Sequence, residues 1–155
     1  MIARSSIFGS TVLICNLMVC SLQAQSGKTK AQQLVDSLVK KNADIAALEV
    51  SATPAGQTTC MTIAATEAKD LGEKCDEDEF AALKSGKPHV EKEADGYDVT
   101  APLHDASGKL VGTIGIDFKL KSGQTDAAII ERTREILKQL EPKIPSKEFL
   151  FQSAS

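Results

Sequence analysis

The stretch Tyr97-Asp98-Val99-Thr100-Ala101-Pro102-Leu103-His104, the turn Asp105-Ala106-Ser107-Gly108-Lys109, and then Leu110-Val111-Gly112-Thr113-Ile114-Gly115-Ile116-Asp117-Phe118 decides the fold. Both arms alternate. Tyr97, Val99, Ala101 and Leu103 fall on one side of the first arm, and Leu110, Gly112, Ile114, Ile116 and Phe118 on one side of the second. A strand separates such sets, because its successive side chains point to opposite faces; a helix would mix them. The turn residues between the arms predict an antiparallel hairpin. One face is apolar, and the other carries Asp98, Thr100, His104, Thr113 and Asp117. Pro102 has no backbone N–H, so it marks a bulge or an unpaired edge position.

Working outward, 89–93 reads as a short strand joined to the hairpin through Asp95-Gly96, a strong turn signal. Upstream, Ala46, Leu48, Val50 and Ala52 alternate with Ala47, Glu49 and Ser51, which predicts a further strand. Residues 58–66, rich in Thr and Ile, predict its hairpin partner across Thr53-Pro54-Ala55-Gly56. Helical spacing brackets the strands. Leu34, Val35, Leu38 and Val39 share a face over 31–41; Ile129, Thr133, Ile136, Leu137 and Leu140 form a stripe over 126–140, with Thr125 at the N-cap and Pro142 beyond the end. A short helix is predicted over 76–84, where Asp76-Glu77-Asp78-Glu79 meets the positive end of the helix dipole. That run lacks the alternating ligands and central Gly of an EF-hand, so no metal or other cofactor is expected. The order predicts an α+β fold: a five-stranded antiparallel sheet with a long N-terminal helix and a C-terminal helix, covered mainly on one face.

The start of the chain reads differently. Arg4 is the only charged residue before Lys28, and 7–22 is mostly apolar but short of the roughly 20 residues a bilayer-spanning helix needs. A basic start, a short apolar core and a small residue near its end predict a cleavable signal peptide over 1–24, with an uncleaved anchor as the alternative. Residues 25–30 then form a flexible lead-in, and 31–152 a single domain. The expected location is periplasmic or secreted. Cys15 and Cys20 fall in the signal, which leaves Cys60 and Cys75. In an oxidising compartment the pair is expected as a disulfide, with two buried free thiols as the alternative.

The run from Thr100 to Phe118 resembles the late strand hairpin of Cache domains, the PAS-like extracytoplasmic sensor modules of bacteria. Pro102, Asp105, Gly108, Gly112, Asp117 and Phe118 fit the family pattern, and the element order over roughly 30–150 fits as well. The resemblance implies a single-module Cache-like domain in which Asp117 faces a ligand pocket. It implies a sensor that binds an unidentified small molecule and signals through a separate partner, a membrane signalling or transport protein. The family's amino-acid ligand is not carried over, because no Arg, Trp or Tyr occurs between Thr59 and Lys92. The candidate ligand-binding residues are Asp117, Thr113, Thr100, His104 and Asp98; a carboxylate among hydroxyls suits an amine or another hydrogen-bonding metabolite.

Composition narrows the alternatives. The 155 residues hold 18 Lys+Arg against 21 Asp+Glu, a formal net charge of −3, and aromatics make up 4%. With no basic excess and few stacking rings, nucleic acid is not an expected partner. No Gly-flanked nucleophile elbow, His-Glu-x-x-His pair or Gly-rich phosphate loop occurs, so the chain is expected not to be an enzyme. A non-catalytic structural or interaction subunit of an envelope complex is the main alternative to the sensor. A remote one is a thiol enzyme built on Cys60 and His104, with Asp117 orienting the ring.

Overall fold

A computed structural model describes residues 27–154; the expected signal peptide lies outside the described residues. Four α-helices are described: α1 (Lys30–Lys41), α2 (Glu77–Ser85), α3 (Asp126–Leu140) and α4 (Lys147–Leu150). The strands are β1 (Ile45–Ala52), β2 (Met61–Ala65), β3 (His89–Lys92), β4 (Gly96–His104) and β5 (Leu110–Lys119). They form one sheet in the order β2-β1-β5-β4-β3, with every neighbouring pair antiparallel.

The hairpin that decides the fold becomes β4 and β5, with Tyr97 opposite Phe118, Val99 opposite Ile116 and Ala101 opposite Ile114. β1 lies on the other side of β5, Leu48 opposite Ile116 and Val50 opposite Ile114. These apolar residues share one face and are buried with Val35 and Leu38 of α1, Ile129, Ile136 and Leu140 of α3, and Leu150 of α4. Each large side chain so enclosed contributes roughly 1.5–3 kcal/mol relative to exposure. β3 reaches only to Thr100, so beyond it Pro102 has no strand on that side to miss its donor.

α1 spans 12 residues and α3 spans 15, which corrects the expectation of a long N-terminal helix. Its ends are set locally. The Thr29 hydroxyl accepts from Gln32 N, and Asn42 Nδ2 donates to the Leu38 carbonyl at 2.8 Å. The Gln32 side chain then works as a strand partner for the edge of β2: its Nε2 donates to Ala65 O at 2.8 Å and its Oε1 accepts from Ala65 N at 3.1 Å. Arg132 fastens α3 to the α1–β1 turn through Asp44 and Asn42; its guanidinium holds the Asp44 carboxyl below the ordinary carboxylate range.

Residues 28–30 of the expected lead-in are tied to the far end of the chain. Thr29 forms a β-bridge with Ser153, Lys30 N donates to Gln152 O at 2.8 Å, and Ala154 N donates to Lys28 O at 2.7 Å. The second, polar face of the sheet is covered in part by α2, which packs over β4 and β5.

Candidate functional site

The polar face brings residues of three neighbouring strands together. Asp98 of β4 stands opposite Asp117 of β5, and Thr100 stands opposite Gly115, which in turn stands opposite Glu49 of β1. Gly115 is what lets Glu49 lie across β5. A Cβ there would meet Glu49 Cγ at 2.8 Å and Oε1 at 2.9 Å.

The wall above this floor comes from the chain between β2 and α2. Residues 72–75 run back beside β2: Thr62 N donates to Glu73 O at 2.8 Å, Gly72 N to Thr62 O at 2.9 Å, and Cys75 N to Cys60 O at 3.2 Å. The Cys60–Cys75 disulfide, with Cα atoms 5.3 Å apart, closes the segment. Asp76 follows at once as the N-cap of α2. Its carboxylate accepts from Asp78 N and Glu79 N, while Glu79 Oε2 accepts from Asp76 N, a complete capping box. Glu79 Oε1 accepts from the buried Thr113 hydroxyl at 3.3 Å, which fixes the first turn of α2 to the sheet.

Floor and wall enclose a cleft of about 230 Å³. Eight carboxylates line it: Glu49, Asp98 and Asp117 from the floor, and Asp70, Glu73, Asp76, Asp78 and Glu79 from the wall; among the described residues no Lys, Arg or His joins them. Crowding and burial make the floor resist ionisation. Burial, then Glu79 and the other carboxylates, pushes Glu49 up to about 7. Burial, then Asp117, pushes Asp98 up to about 6. Asp117 is raised as well, again first by burial.

Of the five residues expected to bind ligand, Asp98, Thr100 and Asp117 line the cleft. Thr113 lies on the same face but is 1% exposed and holds Glu79 instead. His104 does not join them. The register shifts between Leu103 and His104, and both the His104 backbone N and ring Nδ1 lie 3.0 Å from Glu141 Oε1. The bulge breaks the alternation on which the expectation rested. The thiol–imidazole pair is not formed either: Cys60 is bonded to Cys75, and His104 faces Glu141. Sequence reasoning missed Glu49 as a site residue. Its alternation with Ala47 and Ser51 is the signal that finds it once β1 is known to neighbour β5. Of the wall acids, the sequence reading takes Asp76, Asp78 and Glu79 as a helix start with calcium set aside, and singles out neither Asp70 nor Glu73.

No family model and no curated protein sequence matches the chain. Solved structures match it in fold. A putative GAF sensor protein from Burkholderia vietnamiensis superposes with a TM-score of 0.52 at 12% identity, over 77% of this chain and 76% of that one. The GAF domain of an Acinetobacter phosphoenolpyruvate-protein phosphotransferase gives 0.50 at 10% identity, over 75% and 82%. These likenesses show a GAF/PAS-like fold, a broader class than the Cache resemblance named. The fRMsr of Staphylococcus aureus in its reduced form, a methionine sulfoxide reductase, also gives 0.50, at 14% identity over 75% and 81%. This corrects the expectation that the chain is not an enzyme: the fold is shared by sensors and a reductase, so lacking a familiar catalytic motif does not exclude catalysis. Among the described residues no helix is long and apolar enough to cross a membrane.

The floor carboxylates also predict how stability depends on pH. A glutamate in an unfolded chain ionises near 4.3, whereas folded Glu49 ionises at about 7. Between those values the folded state keeps a proton that the unfolded state has released, so Glu49 makes stability fall as pH rises, and its effect levels off above pH 7. Glu49→Gln is expected to stabilise the domain at pH 7.5 by about 1–2 kcal/mol, a figure reduced because the carboxylate keeps contact with solvent. At pH 4.5 the gain should vanish. Urea unfolding at the two pH values reads the difference, and an equal effect at both would contradict the assignment.

Proposed function

We propose that this chain is an exported, single-module Cache-like sensor domain that binds a small organic cation in the acidic cleft and passes the event to a separate protein. The observation that carries this reading is the lining of the cleft, eight carboxylates with the Thr100 hydroxyl among them and, among the described residues, no basic group. An ammonium group there would find acceptors on several sides and relieve the repulsion between Asp98 and Asp117. The sensor reading draws support from the fold, which a GAF sensor protein shares. Export draws support from the Cys60–Cys75 bond and the signal-like first 24 residues. Nothing in the fold specifies that the partner is a membrane protein.

A thermal-shift panel of diamines, polyamines, amino acids and carboxylates tests the binding. An amine at about 100 times its Kd is expected to stabilise the folded state by roughly 2.7 kcal/mol, raising the melting temperature by several degrees, while carboxylates do nothing. Asp98→Asn together with Asp117→Asn should abolish the shift. A flat response to every amine would favour the alternative, a structural or interaction subunit.

A further inference from the structure

We propose that Asp78, His89 and Glu91 form a divalent transition-metal site, of the kind that takes Zn²⁺, bridging α2 to the edge strand β3. His89 and Glu91 are alternate residues of β3, opposite Thr100 and Asp98, so both stand on the polar face at its outer margin. Asp78 comes down from the first turn of α2, held there by the bond from its N–H to Asp76. Three donors from two separate elements therefore converge, and their ligand atoms all lie within 4.8 Å of one another.

The spacing decides what the cluster suits. His89 Nε2 lies 3.5 Å from Asp78 Oδ1 and 3.5 Å from Glu91 Oε1. That is long for a hydrogen bond, which favours about 2.7–3.2 Å. A tetrahedral ion with bonds of about 2.0–2.1 Å places its ligand atoms roughly 3.3–3.4 Å apart. The two distances from the imidazole to the carboxylates thus already approach the edge length of such a tetrahedron, and the two carboxylates lie within 4.8 Å of each other. One nitrogen and two oxygens fit Zn²⁺ and its neighbours in the first transition row; Ca²⁺ and Mg²⁺ prefer oxygen alone. The side chains are 38%, 45% and 59% exposed, so an ion reaches them and keeps one position open to water or to a ligand. Asp78 also lines the acidic cleft, so an ion here would lower the negative potential at its rim. The metal reading does not depend on what the cleft itself binds.

The test is a calorimetric titration of the metal-stripped chain with ZnCl₂, with CoCl₂ used for the visible spectrum. One Zn²⁺ per chain is expected, and Co²⁺ should give the absorption of a four-coordinate ion. His89→Gln and Glu91→Gln should each weaken binding at least tenfold. Circular dichroism checks that each variant folds, as substitution of exposed residues allows. Absence of binding overturns the proposal. So does binding indifferent to His89→Gln or to Glu91→Gln, which would put the ion elsewhere on the chain.

Discussion

Replacing Cys60 and Cys75 together by serine is expected to lower the stability of the domain by about 3 kcal/mol, the chain-entropy value for a cross-link closing a loop of this length. For a domain of this size that corresponds to a drop in melting temperature on the order of 10 °C. The effect should have a location as well as a size. The bond holds residues 72–75 beside β2, and Asp76, which caps α2, follows directly. The amides of Thr62 and Gly72, whose partners lie across that return, should exchange with solvent faster in the variant than those of β4 and β5. Chemical unfolding with and without reductant, combined with hydrogen exchange, measures both. An unchanged midpoint, or a uniform rise in exchange, would show that the bond does not brace the wall.

Gly112→Ala is expected to cost about 3 kcal/mol or more. A methyl group there would press on the Ser51 carbonyl of β1 and stand 3.2 Å from the Ala52 Cβ. Backbone cannot swing aside as the end of a long side chain does, so the β1–β5 pairing at the centre of the sheet must shift. Gly27→Ala is the matched control: a Cβ at that position meets nothing within 4 Å. It should change stability by less than about 0.5 kcal/mol. Urea midpoints of the two variants against the parent decide the matter, and a tolerated Gly112→Ala would mean that β1 and β5 are not packed as closely as described.

Much of this architecture is legible in the sequence because the relevant physics is local. The alternation in 97–104 and 110–118 depends on neighbours one and two residues apart, and it yields β4, β5 and the buried face they share. The stripe of Ile129, Ile136 and Leu140 yields α3 with its predicted bounds and Thr125 cap. The site is less legible, since it is assembled from residues far apart along the chain. Glu49 enters only because β1 pairs with β5 rather than ending the sheet, a choice no local pattern records. The wall acids enter only because residues 72–75 return beside β2 and α2 folds back over the polar face, where the Thr113 hydroxyl donates to Glu79. His104 shows the opposite failure. A local rule was extended one residue too far, across a bulge that turns the side chain towards Glu141.

The bridge between Thr29 and Ser153 brings 28–30 and 152–154 side by side. The described body is thus nearly circular in its connectivity. A linker of a few residues would join the two tails where they already meet, and fresh termini could then be opened in the exposed tip of the 105–109 turn. All four strand ladders would survive that rearrangement, which makes the domain a natural candidate for circular permutation and for insertion into a host protein.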